Sequence, residues 1–190
     1  MSSAAADTRR ERRRRAGRHL LDLAVFAMLG NVMFISKLVM EFLPNIHLIG
    51  MFLVVFTLVF RVRALIPLGV FIFLTGLFGG FNLWWIPYLY IWLPLWGLAM
   101  LIPKKLPIAA KGDIGLAMSA FHGITYGALY APLQAWMFGF DFRGMIAWII
   151  AGLPFDALHC AGNAVAGVLI APLAVLIAQV AKQVGMKTAF

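Results

Sequence analysis

The chain carries a succession of apolar segments between residues 20 and 182, separated by short loops that hold most of its basic residues. Hydrophobic residues make up 63% of the sequence and charged residues 12%, against about half and about a quarter in a soluble domain. A soluble fold of 190 residues has too little interior for so much apolar surface. The sequence therefore predicts an all-α integral membrane protein. It excludes a disordered chain, a disulfide scaffold and an ordinary soluble enzyme.

The basic residues predict how the chain is oriented. Of its sixteen Lys and Arg residues, seven lie between Arg9 and Arg18, and most others lie in two loops and near the C-terminus. Positive loops stay on the cytoplasmic side of a membrane. We therefore expect both termini in the cytoplasm of a bacterial cell, with a disordered basic tail over 1–19, a transmembrane domain over 20–182 and a short tail over 183–190. No basic residues alternate with aromatic ones as in a nucleic-acid module, so no nucleic-acid partner is expected.

The apolar segments predict six transmembrane helices in the plasma membrane, since a helix needs about 20 residues to cross the hydrocarbon. These helices cover 20–43, 46–60, 64–78, 85–102, 113–138 and 154–182. Residues 145–153 are apolar but too few to cross, which predicts a short interfacial or re-entrant helix. A seventh span there would move the C-terminal lysines to the outside, against the charge pattern.

Polar residues within the spans mark candidate sites, because hydrocarbon tolerates them poorly. Lys37 and Glu41 are four residues apart, so they either neutralise each other or contact a substrate at the mouth of a pocket. The fifth span carries a stripe with a spacing of four, which favours a cavity wall over contacts between helices. The stripe consists of His122, Tyr126, Tyr130 and Gln134.

The sixth span opens with three polar residues on one face, Asp156, His159 and Asn163. Asp156 either caps a helix start or joins the other two in a pocket. The three histidines His47, His122 and His159 lack the paired spacing of metal ligands within one helix, and no serine lies in a nucleophile motif. We therefore expect no enzyme, cofactor or metal site.

At this point the sequence resembles the substrate-binding S component of an energy-coupling factor (ECF) transporter. The resemblance covers 20–182 and rests on the size, the six spans, the small residues of the first span, the Pro-x-x-His-Leu-x-Gly run over 44–50 and the Leu-Pro-Phe-Asp-x-x-His run over 153–159. One feature departs from the family. Its first span usually carries Ala-x-x-x-Ala, whereas the small residues Ala24, Ala27 and Gly30 step by three.

The resemblance implies a protein that captures a vitamin or a related small molecule from outside and delivers it through a membrane T component and two cytoplasmic ATPases. It implies partner docking by Ala24, Ala27 and Gly30. By position it implies a substrate pocket built from Asn45, His47, Asn82, Trp84, Trp85, Tyr130, Gln134, Arg143, Asp156 and His159.

Other functions stay open at this stage. The chain has no Walker motif, so active transport requires a partner or a gradient. A cobalt or nickel capture subunit would use the histidines, and a gradient-driven transporter would use Asp156 and His159 as a proton relay. An accessory membrane protein would hold no small ligand. Trp84 and Trp85 suit either membrane-interface anchors or a lid over a flat ring.

Overall fold

A computed structural model describes the backbone of residues 2–189 and the side chains of 9, 10, 12 and 16–189. This part of the chain is helical and has no β-strand. The α-helices are α1 (Ser2–Val39), α2 (Ile49–Phe60), α3 (Leu65–Gly79), α4 (Leu93–Leu101), α5 (Ile108–Phe138), α6 (Phe142–Gly167) and α7 (Ile170–Gln183). Short 3₁₀ helices, Arg61–Ala64 and Leu83–Leu89, precede α3 and α4.

In the described part of the chain, 4 helical segments are long and apolar enough to cross a membrane. They are Ala16–Val39, Ile49–Gly79, Leu83–Leu101 and Phe142–Gly167. α5 is 31 residues long, but its polar stripe and its charged residues Lys111 and Asp113 make it less apolar than these segments. The fold is therefore all-helical with membrane-type helices.

The chain reverses its direction between α2 and α3, so the apolar segment Ile49–Gly79 consists of two antiparallel helices and not of one straight helix. The Phe26 ring packs edge-on against Phe60 at 5.1 Å, where α2 ends, and Phe34 lies 5.0 Å from Phe78, where α3 ends. α3 therefore runs alongside α1 in the same direction, and α2 runs in the opposite direction. The turn is made at Arg61, whose φ of 55° is rare for a residue with a side chain.

Arg61 also joins this turn to the end of α4. Its guanidinium donates a hydrogen bond to the Ile102 carbonyl at 3.4 Å and another to the Met100 carbonyl. The last carbonyls of a helix have no partner within it, and a cation there also meets the negative end of the helix dipole. The contact therefore offsets part of the backbone strain at Arg61.

Arg63 lies at the same end of the molecule and holds three separate segments together. It pairs with Asp22 of α1 at 3.2 Å, stands over the Phe26 ring at 5.6 Å and donates to the Lys187 carbonyl. The Ala189 amide donates to the Val59 carbonyl at 2.8 Å, so the C-terminal residues close over the end of α2. This end carries the basic loops.

α5 and α6 pack closely because glycines line their contact. A β-carbon on Gly123 would lie 2.7 Å from the Cys160 amide nitrogen, and one on Gly167 would lie 2.7 Å from the Leu116 side chain. Small residues let two helix backbones approach in this way. The Asn163 amide donates to the Ser119 carbonyl at 2.8 Å, and the Ser119 hydroxyl donates to the Asn163 carbonyl at 3.3 Å.

The predicted separation of residues 145–153 from the last span is wrong. α6 begins at Phe142, where the Asp141 side chain accepts a hydrogen bond from the Gly144 amide at 2.7 Å, and it continues through Pro154. A proline inside a helix removes one backbone bond, but membrane helices tolerate this. The helix breaks later instead, between α6 and α7.

Two further expectations differ from the structure at the start of the chain. The sequence predicts a disordered tail over residues 1–19, but α1 begins at Ser2, so residues 2–19 are part of the first helix. The reason is that alanine and arginine, which are common in this segment, are strong helix formers. Gly30, expected to dock a partner, is buried against Pro67 and Val70 of α3. Ala24 is exposed and Ala27 is partly buried.

Candidate functional site

A cavity of about 490 Å³ lies where the second 3₁₀ helix meets α5 and α6. We call it the aromatic cavity, because six of its thirteen lining residues are tryptophan, tyrosine or phenylalanine. It is lined by Asn45, Leu83, Trp84, Tyr126, Gly127, Tyr130, Gln134, Met137, Phe138, Trp148, Gly152, Phe155 and Asp156. Its volume is in the range of small-molecule sites.

Tyr130 is the fixed element of this wall. Its ring stacks with Trp148 of α6 at 6.1 Å and 22°, and its hydroxyl donates to the Trp84 carbonyl at 2.8 Å. The stack and the hydrogen bond join α5 to both neighbouring elements. The aromatic face is therefore held in place before any ligand arrives.

Asp156 supplies the charged group of the aromatic cavity. It is 4% exposed, and the Gly127 amide donates to its two carboxylate oxygens at 3.1 Å each. Because α6 starts fourteen residues earlier, at Phe142, Asp156 does not cap a helix start. The carboxylate approaches the α5 backbone closely because residue 127 has no side chain.

A second cavity of about 300 Å³ adjoins the first and shares Asn45 and Tyr126 with it. We call it the polar pocket, because charged, amide, hydroxyl and imidazole groups line it. Its wall consists of Lys37, Met40, Glu41, Leu43, Pro44, Asn45, Ile46, His47, Tyr88, Tyr126 and His159. The polar pocket therefore lies between the end of α1, the loop that follows it, α5 and α6.

Two histidines meet in the wall of the polar pocket. The rings of His47 and His159 are 4.6 Å apart, and the Tyr126 ring lies 4.8 Å from His159. Nδ1 of His47 and Nε2 of His159 are buried without a hydrogen-bond partner. Burial lowers the pKa of His47, which lies outside the membrane-type helices, to about 4, and the positive charge of Lys37 adds to the effect. His47 is therefore neutral at pH 7.

The third histidine of the group is anchored elsewhere. His122 is 2% exposed, stacks on Trp92 at 5.4 Å and has its Nε2 2.9 Å from the Ile91 carbonyl. Its ring lies 6.3 Å from that of His159. Within the described residues, no group of three His, Cys, Asp or Glu side chains is arranged to hold a metal ion.

Lys37 and Glu41 form no ion pair within 4.0 Å in the described part of the chain. Among the described residues the ion pair within 4.0 Å is Arg63 with Asp22, at the opposite end of the molecule. Both Lys37 and Glu41 line the polar pocket, and both also line a neighbouring groove beside Trp84 and Tyr88. Their charges therefore face open space side by side.

The structure brings together most of the predicted pocket residues but not all. Asn45, Trp84, Tyr130, Gln134 and Asp156 line the aromatic cavity, and Asn45, His47 and His159 line the polar pocket. Of the stripe on α5, three residues face the aromatic cavity: Tyr126, Tyr130 and Gln134. The stripe predicted a cavity wall because its spacing keeps these side chains on one helix face.

Three predicted pocket residues line neither cavity. Trp85 donates its indole N–H to the Ile72 carbonyl at 2.9 Å and packs against Phe81, so it fixes the 3₁₀ helix on α3. Asn82 and Arg143 are exposed and lie away from both cavities. Asn163 also lies outside, because its hydrogen bonds go to Ser119.

Sequence reasoning missed the contribution of Tyr88, Trp148 and Phe155. Tyr88 lines the polar pocket, while the other two line the aromatic cavity. Trp148 lies in the segment predicted to be a separate short helix, so its ring was not expected beside Tyr130. An uninterrupted helix over residues 142–167 would have revealed it, since Trp148, Phe155 and Asp156 are spaced by seven or eight and share one face.

Comparison of the chain with models of known protein families, with curated proteins and with solved structures finds no match.

Proposed function

We propose that this protein is a membrane-embedded binding protein that captures a small, flat organic molecule in the aromatic cavity. The single observation that carries the proposal is this cavity of about 490 Å³, with an aromatic wall and a few polar groups. Such a combination is typical of sites for small organic ligands, in which apolar walls supply affinity and a few polar groups set orientation. The function is binding and transfer, with no chemical step.

The wall suits a flat ring better than an aliphatic chain. Tyr130 and Trp148 offer ring faces, and Gln134 and Asp156 offer hydrogen-bonding groups at the edge. Ring pairs add about 0.5–1.5 kcal/mol beyond the area that they bury. A ligand with ring nitrogens or hydroxyl groups would thus find both a stacking surface and polar partners.

We place the protein in the cell membrane with six crossings and both termini in the cytoplasm. α5 crosses in this arrangement despite its polarity, because its polar stripe faces the cavities and its glycines face α6. α6 and α7 together form the last crossing. The end with Arg61, Arg63 and the C-terminal residues then faces the cytoplasm, in agreement with the positive-inside rule.

The two cavities then lie toward the outer surface, where a nutrient would arrive. Capture alone does not move the ligand inward, so the protein acts as the substrate-binding subunit of an ATP-driven micronutrient importer. A membrane T component and two cytoplasmic ATPases supply the energy. The resemblance to ECF S components and the lack of a Walker motif support this assignment.

The cavity can be filled without disturbing the packing of the helices. Gly152 lines the aromatic cavity, and a β-carbon there would meet nothing within 4 Å. Gly97 of α4 has the same open surroundings but lines neither cavity, so it is a matched control. We expect native mass spectrometry of freshly purified protein to detect a small ligand in the wild type and in Gly97→Leu, and none in Gly152→Leu.

Retention of the ligand in Gly152→Leu would show that it binds elsewhere. Absence of any ligand from the wild type, together with no binding of an added flat aromatic compound, would contradict the proposed function as a whole.

A further inference from the structure

We infer that the ligand of the polar pocket carries both a positive and a negative charge, so that the substrate is a zwitterion attached to a flat ring. This inference rests on the proposed function and specifies its substrate class. It follows from the charges, the unpartnered polar atoms and the wall that the two cavities share.

The wall of the polar pocket carries one positive and one negative side chain. Lys37 and Glu41 both line the polar pocket, and neither forms an ion pair within the described part of the chain. His47 is neutral at pH 7 because of its lowered pKa. A ligand with one net charge would be attracted by one of the two side chains and repelled by the other. A zwitterion is attracted by both at once.

The two charged side chains of the polar pocket are four residues apart in the sequence. Residues four apart on a helix lie on the same face with β-carbons about 5–6 Å apart. Glu41, however, lies two residues beyond Val39, the last residue of α1, in a turn where its amide donates to the Leu38 carbonyl at 3.2 Å. The two side chains come together as parts of one pocket wall, and both are long enough for their charged ends to hold a carboxylate and an ammonium group that are joined through one carbon atom. An α-amino acid head group has this form.

Two histidines of the polar pocket each have a ring nitrogen without a hydrogen-bond partner. His159 is 2% exposed, lines the polar pocket, and its Nε2 has no hydrogen-bond partner. Nδ1 of the neighbouring His47 is also buried without a hydrogen-bond partner. A buried polar atom without a partner costs about 1–3 kcal/mol. A polar ligand group in this pocket would satisfy these atoms, as a purely apolar one would not.

The polar pocket and the aromatic cavity lie side by side, because Asn45 and Tyr126 line both of them. A molecule with its charged head beside Lys37 and Glu41 can therefore extend its ring toward Tyr126 and Tyr130. The two cavities together form a site for a bipartite ligand.

The test uses four probes that share a phenyl ring and differ in charge: L-phenylalanine, phenethylamine, 3-phenylpropionate and 2-phenylethanol. Binding is measured by isothermal calorimetry on the full chain in lipid nanodiscs. We expect L-phenylalanine to bind at least tenfold more tightly than each of the other three. Lys37→Gln should shift the preference toward phenethylamine, and Glu41→Gln toward 3-phenylpropionate. The exchange Lys37→Glu with Glu41→Lys should restore the preference for L-phenylalanine.

The outcomes separate this inference from the proposed function. If 2-phenylethanol binds as tightly as L-phenylalanine and Gly152→Leu abolishes both, the cavity binds flat rings but the zwitterion inference is wrong. A preference for one charged probe that neither single substitution changes would also overturn the inference. If no probe binds up to its solubility limit while native mass spectrometry still detects a co-purified ligand, the inference is wrong and the proposed function stands; if no ligand is detected either, both fail.

Discussion

The carboxylate of Asp156 accepts the backbone N–H of Gly127 through both of its oxygens, each at 3.1 Å. The amide belongs to the middle of α5, and the carboxylate belongs to the middle of α6. A side chain of one helix thus reaches the backbone of another at the wall of the aromatic cavity. The geometry requires that residue 127 has no β-carbon.

Gly127→Ala should therefore destabilise the protein and displace Asp156. A β-carbon on residue 127 would overlap the Oδ2 atom of Asp156. Overpacking of this kind typically costs about 1–3 kcal/mol. Thermal unfolding in detergent measures the loss, and ligand binding should weaken with it. Gly69→Ala is the control, because a β-carbon there meets nothing within 4 Å. Equal melting temperatures for the two variants would contradict the assigned contact.

Asn163→Ala should destabilise the protein more than Ser119→Ala does. The Asn163 amide makes the shorter bond, 2.8 Å to the Ser119 carbonyl, and its loss leaves that buried carbonyl without its side-chain partner. The Ser119 hydroxyl makes longer bonds of 3.3 and 3.4 Å. We expect about 1–2 kcal/mol for Asn163→Ala and below about 1 kcal/mol for Ser119→Ala, measured by chemical unfolding in mixed detergent. The reverse order would show that the serine hydroxyl dominates the contact.

The pH dependence of stability should carry a contribution from His47. Its pKa falls from an ordinary 6.5 to about 4 in the folded protein. Between these values the unfolded state binds the extra proton, so the free energy of unfolding decreases as the pH falls through this interval. Above about pH 6.5 His47 is neutral in both states, so its contribution to the free energy of unfolding no longer changes with pH. His47→Gln has no group that titrates there, so its unfolding should depend less on pH between 4 and 6.5, as melting temperatures at a series of pH values would reveal.

A His47→Gln variant with the same pH profile as the wild type would mean that His47 is not protonated on unfolding. Because the positive charge of Lys37 helps to lower the pKa of His47, Lys37→Gln should narrow the pH interval over which the free energy of unfolding falls.

Arg61→Ala should loosen the junction between α2 and α4. The guanidinium holds the Ile102 and Met100 carbonyls, and its removal leaves the end of α4 without these donors. Arg61 also has a φ of 55°, which glycine adopts without cost. Arg61→Gly should therefore be less destabilising than Arg61→Ala, although both lose the same hydrogen bonds. Thermal unfolding of the two variants decides this, and a lower melting temperature for Arg61→Gly would contradict it.

The sequence predicted the helical membrane-type fold because the apolar segments and the basic loops are local features of the chain. It also predicted that the stripe on α5 forms a cavity wall, since a spacing of four fixes a common face. It failed at Pro154, because helix breaking by proline depends on the helix environment and not on the residue alone. Trp85 and Asn82 line neither cavity, because the Trp85 indole bonds to α3 and Asn82 is an exposed residue that precedes the 3₁₀ helix. Which of two adjacent tryptophans faces a cavity depends on packing against α3.

The proposed mode of energy supply gives the last prediction. If the protein is a subunit of an ATP-driven importer, uptake of its ligand should stop when the ATPase subunits are removed and should persist when the proton gradient is dissipated. A gradient-driven transporter that uses Asp156 and His159 as a proton relay gives the opposite pattern.

Asp156→Asn refines the test, since the amide keeps the side-chain shape but cannot relay protons. In an ATP-driven importer Asp156→Asn should weaken ligand binding and uptake in proportion, whereas a proton relay predicts loss of uptake with binding retained. Radiolabelled uptake in whole cells, with binding measured on the purified protein, separates the two.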